Sequence, residues 1–254
     1  MMQPCLEVLP IPAFEDNYIW LIKRGHRVVA VDPGDAKPVI DFLDRHFLEL
    51  DAILITHHHA DHIGGVEALL RKRSVLVFAP RRGHYDFPHR AVAEGDQVHL
   101  ETIELELMVM EVPGHTLDHV AYYGANCLFC GDTLFAAGCG RLFEGTAMQM
   151  HSSLQRLAAL PEETEVYCTH EYTEHNLRFA RMLDPGNKLL AMRQEQTAAT
   201  RAQGRPTLPS SIAIERQTNP FLRCDSPAIQ AASGCQKADQ LQVFTAIREM
   251  RNHY

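Results

Sequence analysis

The sequence predicts a mixed α/β domain followed by a smaller helical one. Three observations predict it. Short apolar strand-like runs alternate with turns and a few helices over the first two-thirds of the 254 residues. Such runs stop after about residue 171. The histidines and aspartates that form patterns fall just beyond the ends of those apolar runs.

Taken in order, Tyr18 to Ile22 and Arg27 to Val31 form a hairpin closed around Gly25, and Asp32-Pro33-Gly34 is a turn signal. Val39 to Phe47 suits a helix, Ala52 to Ile55 a short strand, and Ile63 to Arg71 a second helix with Leu69 and Leu70 on its apolar side. Val75 to Phe78, Val98 to Leu100, Ile103 to Val112, Ala121 to Tyr123, Cys127 to Cys130 and Glu165 to Cys168 complete the strands. Glu174 to Leu183 then reads as a helix stopped by Asp184-Pro185-Gly186. Asn187 to Gln203 is a further helix ending at Gly204-Arg205-Pro206. After an irregular stretch rich in Pro and Ser comes a terminal helix, Ala238 to Arg251. The expected division is therefore 1–170 and 171–254, without solenoid-type repeats or low-complexity segments.

Composition narrows the function. A hydrophobic content of 46% can bury a substantial core, and a formal charge of −8 argues against a general nucleic-acid binder. An anionic small molecule remains compatible, because a local basic pocket can sit on an acidic protein. Met1 to Asn17 lacks the basic and apolar regions of a secretory signal, and no run of about 18 apolar residues occurs. Seven scattered cysteines suit a reducing compartment. A cytoplasmic monomer is expected, with no nucleic acid and no membrane as partner. Cys127 and Cys130 form a C-x-x-C inside a strand-like run, where residues three apart face opposite sides, so they read as buried hydrophobes.

Histidine is the outlier, with fifteen copies. Thr56-His57-His58-His59-Ala60-Asp61-His62 carries H-x-H-x-D-H directly after the run Ile53-Leu54-Ile55. Imidazoles two apart share one side of an extended chain, and Asp61 and His62 can turn toward a second ion as a helix begins. Gly64 and Gly65 would allow close backbone approach. His115, Asp132 and His170 each follow an apolar run in the same way. In a layered fold such loops converge at one edge. One histidine after a strand is usually incidental, and a triple run alone could be a surface cluster. The three further strand-end candidates favour a built site. His58 should point away from it. His84, His89, His99, His151 and His175 read as ordinary surface or packing residues. Imidazoles and carboxylates without thiolates suit two divalent ions, Zn2+ first, with Fe or Mn compatible. Two such ions carry about +4, and two aspartates with a bridging hydroxide return about −3, leaving a net positive charge for an anionic tetrahedral intermediate.

At these residues the chain resembles the metallo-β-lactamase superfamily, and within it the glyoxalase II (hydroxyacylglutathione hydrolase) family. The resemblance spans essentially the whole chain. Its more specific segments are Phe14-Glu15-Asp16-Asn17-Tyr18, Val31-Asp32-Pro33-Gly34, Pro113-Gly114-His115-Thr116 and Gly131-Asp132-Thr133-Leu134-Phe135. Gly138 to Thr146, His170-Glu171-Tyr172-Thr173, Asn219-Pro220-Phe221-Leu222-Arg223 and Arg248-Glu249-Met250-Arg251 complete them. The resemblance implies an αββα sandwich as catalytic domain and a small C-terminal helical domain that binds glutathione. It implies one ion on His57, His59 and His115, a second on Asp61, His62 and His170, and Asp132 bridging them. Asp61 and Asp132 would be the catalytic carboxylates. The implied reaction is hydrolysis of the thioester S-D-lactoylglutathione to D-lactate and glutathione, the second step of methylglyoxal detoxification. The implied substrate contacts are Arg141, Phe143, His170, Glu171, Tyr172, Arg248 and Arg251. Arg248 and Arg251 are three apart on the terminal helix and share a face, where planar guanidinium forks suit a carboxylate. Arg141 stands where some relatives carry lysine and Phe143 where some carry tyrosine. Asp32 reads either as a group orienting a ligand or as a turn residue.

Competing readings are another enzyme of the same fold, above all a glutathione persulfide dioxygenase, or a metal-binding module without turnover. A β-lactam hydrolase would often carry Cys where Asp132 stands.

Overall fold

The structure is a computed structural model that describes residues 5–254. Packing groups the described residues into two compact units, one within residues 5–111 with 118–131, the other residues 112–117 with 132–254.

The first unit opens with β1 (Glu7–Ala13), β2 (Asn17–Arg24), β3 (Arg27–Val31), α1 (Ala36–His46) and β4 (Glu49–Leu54). It continues through α2 (Ala60–Ile63), α3 (Val66–Lys72), β5 (Leu76–Pro80) and β6 (Arg90–Val92). These six strands form one sheet in chain order. β1, β2 and β3 are antiparallel, whereas β3 to β6 are parallel. β2 is buried on both faces, as a strand covered on two sides must be. One face meets α1 and α3, where Val39, Leu43, Val66 and Leu69 pack on Ile19, Leu21, Val28, Ala30 and Ile53. Val39 and Leu43 lie four apart, so both fall on one helical stripe.

The other face meets a second sheet. Its strands in this unit are β7 (Gln97–Leu100), β8 (Leu105–Glu111), β9 (Val120–Gly124) and β10 (Cys127–Gly131), in the antiparallel order β10-β9-β8-β7. The buried Tyr122 hydroxyl donates to the Ile55 carbonyl at 2.9 Å, and the Val120 N–H donates to the Thr56 carbonyl at 2.9 Å. Sheet and sheet are thus stitched where the triple-histidine segment begins. Cys127 and Cys130 are both buried in β10, as the strand reading expected.

The second unit carries the hairpin β11 (Leu134–Phe135) and β12 (Gly138–Cys139), α4 (Ala147–Ala158), β13 (Glu165–Cys168), α5 (Thr173–Leu183) and α6 (Lys188–Ala202). β14 (Ser210–Ser211), α7 (Ile212–Thr218), α8 (Pro227–Ala232) and α9 (Gln240–Asn252) follow. β13 pairs with β14 antiparallel. Ala137, Leu177, Ala180 and Leu190 form a small core joining the hairpin to α5 and α6.

The expected mixed α/β architecture with a helical C-terminal region is what the chain adopts. Three local differences have physical reasons. The helix expected over Ile63 to Arg71 is two pieces, because the Pro33 carbonyl presses where a Gly65 side chain would be, 2.4 Å from an ideal Cβ, and accepts the Gly65 N–H. The strand expected from Ile103 begins at Leu105, after a 3-10 turn over Glu101–Ile103 closed by Glu104 at φ 47°. Helices α4, α7 and α8 and strands β1, β6, β11, β12 and β14 were not expected, the last four being two or three residues long and too short to show alternation. Among the described residues no helix is long and apolar enough to cross a membrane.

Candidate metal and substrate site

Each compact unit brings its own set of predicted residues together. In the first, β3 and β4 are adjacent parallel strands, so Asp32 and the Thr56–His62 segment leave the same carboxyl edge of the sheet. That edge is where parallel sheets build sites. Asp32 is buried and left-handed at φ 50°. Its Oδ1 accepts the Thr56 N–H at 2.8 Å, and its Oδ2 accepts the Thr56 hydroxyl at 2.7 Å and His62 Nδ1 at 2.9 Å. It is therefore an orienting residue and not merely a turn. A carboxylate on Nδ1 fixes the tautomer and leaves the Nε2 lone pair of His62 for a ligand bond. Asp61 Oδ2 lies 3.5 Å from that Nε2 and accepts from the amide of Asn17 at 3.0 Å. His57 Nε2 and His59 Nδ1 are 3.1 Å apart, on one side of the extended segment.

His58 turns the other way. Its Nδ1 is 2.9 Å from Asp118, whose second oxygen accepts the buried Tyr85 hydroxyl at 2.8 Å. Burial first, then Asp118, holds the Tyr85 phenol far above its ordinary pKa, so it stays a donor. Sequence reasoning passed over two residues here. His119 is buried and stacks on His57 at 4.5 Å, and Asn17 holds Asp61. Asn17 was hinted at only by its place in the Phe14–Tyr18 segment of the resemblance, and His119 by nothing in the sequence. Gly131, at φ 47°, is required because a side chain there would meet the Thr56 hydroxyl at 2.3 Å.

In the second unit, the 112–117 loop is held by the 143–145 segment. The N–H groups of Phe143 and Glu144 donate to the His115 carbonyl, and Glu144 accepts the Leu117 N–H at 2.8 Å. His115 Nδ1 donates to the Arg141 carbonyl at 2.8 Å, which again leaves Nε2 as the lone-pair nitrogen. That Nε2 lies 3.4 Å, and His170 Nε2 lies 3.3 Å, from the same oxygen of Asp132. A lone pair facing a carboxylate oxygen at this range is repulsive unless a cation sits between them, so these donors fit a divalent ion. His170 stacks on Tyr172 with centroids 4.7 Å apart and planes 3° from parallel.

A cavity of about 530 Å³ opens from this cluster. His115 and Asp132 line it together with Arg141, Phe143, Tyr172, Arg248 and Arg251. Phe143 is 64% exposed and sets its ring edge against His115 at 5.2 Å. Arg248 is buried over the Phe221 ring, and its Nη1 donates to the Cys139 carbonyl at 2.8 Å and the Gly140 carbonyl at 3.3 Å. Its Nε is buried without a hydrogen-bond partner. Arg251 donates to Asn176 at 3.2 Å. Burial, then Arg248 and Arg141, lowers the Arg251 pKa from its ordinary value. None of the three guanidiniums makes an ion pair with a carboxylate among the described residues. Burial raises the thiol of Cys139, which also lines the cavity, while Arg248 pulls it down.

Two predicted contacts, His170 and Glu171, are not among the residues that line the cavity. The side chain of Glu171 does not line the cavity: its carboxylate accepts the Thr207 N–H at 2.8 Å and lies 3.7 Å from Arg201. His175, expected to be an ordinary surface residue, does line it. Its pKa is lowered by burial, then by Arg251 and Arg178.

Comparison with known proteins gives the family. Residues 13–170 match the metallo-beta-lactamase superfamily model, and residues 171–254 match the hydroxyacylglutathione hydrolase C-terminus. A hydroxyacylglutathione hydrolase of Methylobacillus flagellatus is 59% identical over 248 residues, covering 98% of this chain and 99% of that one. One of Nitrosomonas europaea is 49% identical, covering 98% and 97%. Among solved structures, ETHE1 from Myxococcus xanthus is 25% identical with a TM-score of 0.65, covering 97% of this chain and 98% of that one. The chain therefore belongs to the hydroxyacylglutathione hydrolase family, on the metallo-beta-lactamase superfamily fold.

Proposed function

We propose that this chain hydrolyses S-D-lactoylglutathione to D-lactate and glutathione, as the second step of methylglyoxal detoxification in the cytoplasm. One observation carries the reading. Two candidate metal ligands, His115 and Asp132, line the same cavity as three guanidiniums that lack carboxylate partners. An uncompensated cationic pocket attracts an anion, and glutathione offers carboxylates remote from its thioester.

His57, His59 and His115 would hold one divalent ion, Asp61, His62 and His170 a second, with Asp132 shared. Zn2+ is the first choice for this donor set, and Fe or Mn remain compatible. Such ions supply hydroxide near neutral pH and polarise a carbonyl. The chain's own residues do the rest. Asp61, which accepts from the Asn17 amide, would orient the nucleophile. Arg251 and Arg141 receive the carboxylates, while the buried Arg248 adds charge to the same wall. The exposed ring of Phe143 gives an apolar contact where a tyrosine would add a hydroxyl. Tyr172, stacked on His170, borders the cavity between ligands and arginines. Glu171 has its carboxylate engaged by Thr207 and is left out of the substrate contacts. A thiol has a pKa of roughly 8.5, so the leaving thiolate needs no dedicated acid. The chain acts as a monomer, with residues 1–170 as catalytic domain and 171–254 as glutathione-binding domain.

The test is a thioester hydrolysis assay with metal analysis on one preparation. Turnover with about two ions per chain is expected. Metal without turnover, or oxygen uptake with glutathione persulfide instead of hydrolysis, would overturn the reading.

A further inference from the structure

Outside the ligand cluster, Glu215 on α7 is a carboxylate with four hydrogen-bond donors. It is fully buried. Its Oε1 accepts Arg193 at 2.6 Å and the Ser210 hydroxyl at 2.5 Å. Its Oε2 accepts the Ala137 N–H at 2.8 Å and the Asn219 amide at 2.9 Å. Asn219 also donates to the carbonyls of Phe135 at 3.1 Å and Gly138 at 2.9 Å. Two side chains of one helical segment thus grip three main-chain groups of the β11–β12 hairpin.

That hairpin is a wall of the cavity. Phe135 and Cys139 line it, and the Cys139 carbonyl seats Arg248. The tip residue Ala137 is buried and left-handed at φ 55°, a conformation an alanine keeps only when its surroundings impose it. The N–H of this strained residue is the one that Glu215 binds.

We propose that Glu215, with Asn219, is a positioning residue for substrate binding. The buried carboxylate locks the hairpin so that its carbonyls seat Arg248 and its side chains shape the carboxylate pocket. Neither residue touches substrate. Arg193, whose side chain is 12% exposed, balances the charge that would otherwise be stranded. This inference rests on the reading of the cavity as the glutathione subsite.

The test compares wild type with Glu215→Gln and Asn219→Ser. Loss of these hydrogen bonds to the hairpin, charged from Glu215 and neutral from Asn219, should raise KM for S-D-lactoylglutathione about tenfold in either variant, with kcat within about twofold. The dissociation constant for glutathione, by calorimetry, should rise in parallel, and metal content should stay at the wild-type level. Leu43→Ala, in the core beneath α1 of the other unit, controls for general destabilisation: it should lower Tm and leave KM unchanged. Absent turnover in the wild type would sink the functional reading itself. With wild-type turnover present, three results would overturn the positioning role. They are unchanged KM and glutathione affinity in both folded variants, a loss confined to kcat or metal content, or failure of both variants to fold while Leu43→Ala folds.

Discussion

The two charged regions of the molecule are built on opposite rules. In the first unit the imidazoles of the triple-histidine segment are answered by anions: His62 by Asp32 and His58 by Asp118. In the second, three guanidiniums share a cavity wall, and Arg248 and Arg251 are answered by carbonyls, side-chain amides, a thiol and aromatic faces, with no carboxylate among the described residues. The difference is chemical. An imidazole ligand must keep one nitrogen lone pair free and aimed, and a carboxylate accepting from the far nitrogen fixes that tautomer and orientation. A pocket for an anion must keep its positive charge unspent, so it is shaped by dipoles in place of countercharges.

Three substitutions press on this contrast. Asp132→Ala removes the oxygen within 3.4 Å of both His115 and His170, and should cut kcat about a thousandfold or more with loss of bound metal. Near-normal turnover and metal content would contradict a shared carboxylate. Asp32→Asn keeps a side chain tolerant of the left-handed backbone but removes the charge on His62. Competition with a chromophoric chelator should show metal affinity about 10- to 100-fold weaker. Unchanged affinity would mean the anion is not what aims the imidazole. Arg251→Ala should raise KM about tenfold and leave kcat within about threefold, since the contact is remote from the reacting carbon. The same variant should raise the His175 pKa, by NMR titration, because Arg251 is among the charges depressing it. Equal losses in kcat and kcat/KM would move Arg251 from binding to the transition state.

The legibility of these regions differs for the same physical reason. The H-x-H-x-D-H segment is local, its ligands spaced by strand and helix geometry, so the sequence displays it. Asp32 was only half legible, because its bond to His62 spans thirty positions. His119 and Asn17 carry no local pattern. The cavity was legible in its arginines but not in the groups that shape it: Glu215 sits in a stretch that reads as irregular, and its bond to Ala137 spans 78 positions. Helix α4 did leave signals, the capping box of Thr146 with Gln149 and the buried positions Met150, Ser153, Leu154 and Leu157 at helical spacing, but Ser153 interrupts the apolar stripe. Helix α8 begins at Pro227 after Ser226, a start signal lost among neighbouring prolines and serines. Strand β1 was missed because Pro10 and Pro12 argue against a strand interior, and they are tolerated since β1 lies at the sheet's edge.

Those two prolines have a wider effect. Alternate residues of a strand direct their main-chain nitrogens to the same border, and β1 keeps an unbroken register with β2 from Glu7 to Ala13. The outer border of β1 therefore lacks two successive donors. At the far end of the same sheet, β6 is only three residues long. A foreign strand finds no full ladder to extend at either flank, so a β-rich chain is guarded against templating its own aggregation.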